Sequence, residues 1–185
     1  MENEREQEKD LPWLYWLAGC FSVRRKTKEK LLDMYGTAEN IYNMKKQVLN
    51  EPGFLTDREK EVFLQRGKVD PEQECENFFQ QGGSFTWIGA ADYPQKLQPL
   101  SGAPFALFYY GKLPDPEKKA VAIVGARGCT SYGRAAAGSF AEAAALAGAE
   151  IISGMACGID NTAQLAALRV GGTSTAVLGC GTDIC

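Results

Sequence analysis

The sequence predicts an α/β protein in which a small all-helical domain precedes a parallel sheet of strand–helix–strand units. Three observations predict it. The final third alternates apolar runs with alanine-rich helical stretches: "AVAIVG", "YGRAAAGSFAEAAALAGA", "EIISG", "DNTAQLAALRVGG" and "TSTAVLGCG". Each apolar run leaves through glycine, as parallel strands leave toward a ligand crevice. From Leu11 to Gly67 the apolar residues instead recur with a helical period, punctuated by caps and glycines.

Residues 1–10, "MENEREQEKD", read as a solvated, disordered tail, acidic and unlike a signal peptide. Residues 11–68 read as four short helices. "LPWLYWLAGCF" is strongly apolar, and "KTKEKLLDMYG" is amphipathic and ends at Gly36. "TAENIYNM" opens on Thr37, and "LTDREKEVFLQRG" opens at Thr56 or Asp57 and closes at Gly67. Residues 69–185 form the sheet domain. "DPEQECENFFQQGG" is a helix with Pro71 in its first turn. "SFTWIG" and Phe105–Tyr110 are strands separated by a proline-punctuated segment, and "DPEKK" is a charged turn before the strand–helix alternation begins. Trp13, Trp16 and Trp87 are expected in the core.

A chain of 185 residues with 45% hydrophobic and 23% charged residues can build a sizeable core. No run approaches the roughly 18 apolar residues of a membrane span. Six cysteines without a CxxC pair, and no histidine at all, exclude a Cys/His metal site and point to free thiols in a reducing cytoplasm. The absence of histidine also removes Ser–His and Cys–His catalysis. The charge of −3 argues against indiscriminate adhesion to nucleic acid. Residues 1–84 carry 13 Lys/Arg against 16 Asp/Glu, and residues 85–185 carry 7 of each, so the acidic excess lies away from the glycine loops.

Those loops, "GARGCTSYG", "SGMACGID" and "LGCGTD", converge at the carboxyl edge of the sheet. Gly125, Gly154, Gly158, Gly179 and Gly181 let backbone amides approach a ligand. The helices starting near Gly133 and Asp160 aim positive dipole ends at the crevice. Thr130, Ser131 and Ser153 offer hydroxyls, and Arg127 a guanidinium suited to phosphate. Together these predict an anionic ligand. Asp160 would repel a phosphate and is expected to cap its own helix, satisfying amides of "NTAQ". Arg134 could touch a ligand backbone or, like Arg169, be a solvated helix residue.

At these residues the chain resembles the DNA-processing protein A family, DprA or Smf. "VAIVGAR", "TSYGR", "SGMACGID" and "TAVLGCG" match its motifs, and "DYPQKLQPLSGAPFALFYYG" resembles its lead-in. The match covers about residues 71–185. Residues 11–68 correspond in position and length to a sterile-alpha-motif-like domain. The resemblance implies a Rossmann-like fold and a non-enzymatic, cytoplasmic protein without cofactor that binds single-stranded DNA in natural transformation. It also implies protection of the incoming strand, loading of the RecA recombinase, and a homodimer when complete. Carried over, Arg127 meets DNA phosphate, while Gly125, Ser131, Gly133, Ser153, Gly154 and Gly158 shape the binding pocket, with Thr130 a further hydroxyl for the phosphate. A backbone-amide and arginine site of this kind contacts phosphate without reading bases.

Three departures stand out. Gln164 occupies a position where the family usually carries histidine. "AGCFSVRRKTKEKLL" lacks the Gly-hydrophobic-Gly hairpin of a helix-hairpin-helix DNA binder, so no DNA contact is assigned there. The family pattern runs on past "GTDIC" with further strands and a second basic stretch, so the sequence reads as a C-terminally truncated member with one side of its sheet uncovered and marginal stability. The competing reading is a nucleotide-derivative-binding or phosphoribohydrolase-type Rossmann protein, whose PGGxGT loop and catalytic glutamate do not occur here.

Overall fold

The computed structural model describes residues 2–47, 49 and 55–182. Two compact units divide the chain, Met1–Lys112 and Leu113–Cys185.

Unit 1 opens with α1 (Glu2–Gly19), α2 (Arg25–Tyr35), α3 (Ala38–Tyr42) and α4 (Asp57–Leu64). A 3-10 turn at Arg66–Lys68 follows, then α5 (Pro71–Gln80), β1 (Gly83–Trp87) and β2 (Ala106–Tyr110). The expected tail is helical from Glu2, because Glu, Arg, Gln and Lys are good helix formers that extend the apolar segment N-terminally. Asp10 belongs to the fold: its carboxylate accepts from the Ala38 and Glu39 amides at 2.9 and 2.8 Å, satisfying the start of α3.

The domain boundary expected at 68/69 falls instead at 112/113. The helices do not close a core alone. Leu14, Trp16, Leu17, Leu31, Ile41 and Phe63 are buried in one cluster with Cys75 of α5, Phe85 of β1 and Phe105 beside β2. Tyr15 meets Phe78, Phe85 and Phe108 at ring separations of 5.4–5.5 Å, tying α1 to α5 and both strands. β1 and β2 pair antiparallel from Gly83↔Tyr110 to Trp87↔Ala106. The helical domain therefore carries a two-stranded sheet.

Two polar features brace unit 1. Thr56 and Glu59 form a capping box on α4. Glu59 is fully buried and also accepts from the Arg24 amide and guanidinium and from the Thr27 hydroxyl. Burial would raise its pKa, but these hydrogen bonds outweigh it and hold the carboxyl well below the usual carboxylate range. Lys28, 4% exposed, donates to the Ala18 carbonyl at 3.0 Å and lies 5.1 Å from the Phe105 ring centre. Burial lowers its pKa to about 8.

Unit 2 is β3 (Ala120–Ala122), α6 (Ser131–Leu146), β4 (Glu150–Ser153), α7 (Ile159–Arg169) and β5 (Ser174–Ala176). The strands are parallel in the order β3-β4-β5, as the strand–helix alternation predicts. Both crossovers advance in the same direction, so their right-handed connections place α6 and α7 on one face, packed against each other. Of a doubly wound sheet, these strands make the half wound in a single direction. Ile151 is buried beneath Ala141, Ala145, Ala163, Ala166 and Ala167 of the two helices. Gln164 is buried and donates to the Ser174 hydroxyl at 3.1 Å and the Thr175 carbonyl at 3.3 Å, linking α7 to β5. Among the described residues no helix is long and apolar enough to cross a membrane.

Candidate functional site

The exits of β3 and β4 and the first turns of α6 and α7 meet at the carboxyl edge of the sheet, and Asp160 lies at their centre. It is in the first turn of α7 and only 6% exposed. It does not cap its own helix: Oδ1 accepts from the Gly125 amide at 3.0 Å and Oδ2 from the Gly154 amide at 3.1 Å. One carboxylate thus staples the ends of two adjacent parallel strands. Its charge is offset by two charge-assisted bonds and by the positive end of α7.

This corrects the reading of the glycines. The amides of Gly125 and Gly154, expected to cradle a ligand, are already engaged by Asp160. A Cβ on Gly125 would press within 2.8 Å of the Ile159 side chain, and one on Gly154 within 2.8 Å of Asp160 Oδ2. Gly158 caps α7 with φ of 92°, and a Cβ there would collide with the Ala126 and Arg127 carbonyls. The Ile159 amide also donates to the Ala126 carbonyl at 3.3 Å. These three glycines let the loops close tightly on each other.

The other expected residues divide into two groups. Ser153 is 2% exposed and donates to the Ile123 carbonyl at 2.6 Å, pinning β4 to β3, so its hydroxyl is not offered to a ligand. Thr130 is the N-cap of α6, its hydroxyl oxygen accepting from the Gly133 amide at 3.1 Å. Gly133 is thereby satisfied as well. Ser131 and Arg127 face solvent. Among the described residues the Arg127 guanidinium has no hydrogen bond or ion pair, and the Ser131 and Tyr132 amides have no acceptor. Arg134, just beyond, donates from Nε to Cys129 Sγ at 3.2 Å and is otherwise exposed.

Two features escaped the sequence reading. Tyr132 is 83% exposed at the start of α6, beside the solvent-facing Ser131. Met155, in the loop after β4, has φ of 54° and is 59% exposed, a strained position for a residue with a Cβ. Met155 has no sequence signal beyond lying in a glycine-rich loop, whereas Tyr132 belongs to the TSYGR motif. Among the described residues no group of three or more acidic or thiol side chains is placed to hold a metal ion.

The geometry defines a class: a Rossmann-like parallel sheet whose carboxyl-edge loops are locked together and present an arginine, a hydroxyl and a helix start to solvent. The model of the DNA recombination-mediator protein A family matches residues 84–185, and the chain belongs to that family. It is 32% identical over 179 residues to protein Smf of Synechocystis, covering 93% of this chain and 44% of that protein. To the DNA processing protein DprA of Streptococcus pneumoniae it is 34% identical over 131 residues, covering 69% of this chain and 44% of that one. The X-ray structure of the Streptococcus pneumoniae DprA superposes with a TM-score of 0.66 at 26% identity, over 94% of this chain and 59% of the other. The chain spans about 44% of the length of these two curated relatives.

Proposed function

We propose that the carboxyl-edge crest binds the sugar-phosphate backbone of single-stranded DNA, in a cytoplasmic recombination mediator of natural transformation. In that role the protein shields the incoming strand and helps to load a RecA recombinase, acting as a homodimer when complete. The observation that carries the proposal is the Arg127 guanidinium, exposed and unengaged in the loop that leads into the first turn of α6. Phosphate oxygens suit a planar donor of this kind together with free amides at a helix start. Because Gly125 and Gly154 are occupied by Asp160, the strand would lie over the staple rather than inside it. The exposed Tyr132 ring offers a stacking surface indifferent to base identity. Family membership and the name of the Streptococcus pneumoniae relative, DNA processing protein DprA, support DNA as the partner.

Anisotropy titrations of labelled single strands and duplexes of equal length test this reading. Single strands are expected to bind more tightly, with little base preference. Arg127→Ala should weaken binding uniformly and reduce the slope of log affinity against log salt by about 0.7, the value for one single-strand phosphate. Equal or tighter duplex binding, or an unchanged salt slope in the variant, would overturn it.

A further inference from the structure

The turn between α1 and α2 breaks two local rules at once. Phe21 is 84% exposed, although the residues on either side of the turn, Cys20 and Val23, are buried. The turn is fixed by the Phe21 amide on the Gly19 carbonyl at 2.8 Å and the Val23 amide on the Cys20 carbonyl at 3.0 Å. Phe108 touches the ring at a centroid separation of 6.2 Å and an angle of 67°, while most of its surface stays in water. The ring is anchored and presented outward.

The second departure follows it in the chain. Arg24, Arg25, Lys26, Lys28 and Lys30 place five of the 13 cations of residues 1–84 within seven positions of an otherwise acidic stretch. They open α2, whose first turn has no acidic residue and whose N-cap, Arg24, makes no side-chain cap. Cations at the positive end of a helix cost stability. Compensation inside the unit is partial. Arg24 is forked on Glu59 but its side chain remains 63% exposed. Arg25 bonds Glu29 and the Leu100 and Ala103 carbonyls. Lys26 is exposed and has no partner among the described residues. An outward aromatic ring followed closely in the chain by the exposed Lys26 and the solvent-facing part of Arg24 offers what a single strand requires: a surface for a base and cations for the flanking phosphates.

We infer that this turn is a second contact for single-stranded DNA, with a base stacked on Phe21 and neighbouring phosphates met by Lys26 and Arg24. The inference rests on the reading of the protein as a single-strand binder. The missing Gly-hydrophobic-Gly hairpin concerns a different mode of backbone capture and does not bear on stacking. An acidic peptide would satisfy the cations but leave the ring without a matching surface.

The test uses the full chain and a single strand carrying 5-bromodeoxyuridine. Ultraviolet crosslinking and mass spectrometry should map an adduct to the peptide containing Phe21. Phe21→Ala should weaken binding roughly 5- to 100-fold, with Phe21→Tyr restoring most of it and melting unchanged. Lys26→Ala should lower the salt slope by about 0.7. If Arg127→Ala weakens binding while Phe21→Ala does not, the inference fails and the crest reading stands. If neither variant changes affinity, the crest reading fails and takes this inference with it. If polyglutamate binds the wild type and loses affinity on Lys26→Ala, while Phe21→Ala leaves single-strand affinity intact, the turn is a site for acidic protein and the inference is overturned.

Discussion

In unit 1 the fully buried side chains include large hydrophobic ones: Leu17, Leu31, Ile41, Phe63 and Tyr93. In unit 2 five of the six buried cluster residues are alanines, with Ile151 the exception, and its large apolar groups point outward, Val124, Phe140, Leu146 and Val177 being 63–73% exposed. Large side chains stabilise by area, roughly 1.5–3 kcal/mol for each one fully buried. Alanines contribute little area but let α6 and α7 come close. A Cβ on Gly138 would already meet Thr162 and Ala166 at 3.7 and 4.0 Å. Unit 2 adds cross-links between backbones, through Asp160, Ser153 and Gln164. The lesson is that the carboxyl-edge loops of unit 2 are held by locking backbones to one another, whereas unit 1 is held by burial of large side chains.

The comparison should break first at the bulk core. Phe63, fully buried and 6.0 Å from the Trp16 ring, should cost about 3–5 kcal/mol as Phe63→Ala. Denaturant melts followed by tryptophan fluorescence would read it, because all three tryptophans lie in unit 1. In unit 2 the corresponding break is Asp160→Asn. An amide keeps one acceptor but turns an N–H toward a backbone N–H, a loss of about 2–3 kcal/mol. It should appear as faster hydrogen exchange at the Gly125 and Gly154 amides and as weaker DNA binding, although Asp160 touches no DNA in the proposed mode. Exchange unchanged at both amides would show that the staple is not what holds the crest.

The close helix pair should tolerate enlargement badly, so Ala141→Leu at a fully buried position should cost about 1–3 kcal/mol by overpacking. A neutral or stabilising result in the same denaturation assay would mean the α6–α7 contact has slack.

The smallest expected effect is on pH dependence, and it belongs to unit 1. The Glu59 carboxyl sits below its ordinary value of 4.5, so the stability it supplies is complete above that pH and is lost as acid protonates it. On the alkaline side Lys28 is lowered to about 8 from 10.5, so between those values the unfolded chain binds more protons and stability rises with pH. Burial raises Cys20 and Cys75 to about 11 from 9.0, so above pH 9 the unfolded thiols lose protons first and stability falls. Urea midpoints should pass through a shallow maximum near pH 9, and Lys28→Met should remove the rising limb. A monotonic wild-type profile across that range would contradict the burial of the amine.

Local pattern alone determined the elements. Apolar alternation and glycine exits placed β3, α6, β4, α7 and β5. Thr37 and Thr56 are N-caps where the sequence suggested them, because a cap is satisfied within its own first turn. Family membership was legible for the same reason, its motifs being short and contiguous. Tertiary structure decided what depends on atoms far apart in the chain. That α5, β1 and β2 share a core with the first four helices follows from Tyr15, Phe78, Phe85 and Phe108 meeting in space, which no shift in composition at 68/69 could reveal. Asp160 looked like a local cap because its helix begins beside it, yet its partners are the Gly125 amide 35 residues away and the Gly154 amide just past the end of the preceding strand. The same contacts changed the meaning of the glycines. A glycine in a sequence shows only that a side chain is absent. Whether that space is filled by a ligand or by a neighbouring loop is set by the packing of β3 against β4, and at Gly125, Gly154 and Gly158 the neighbouring loops and helix start fill it.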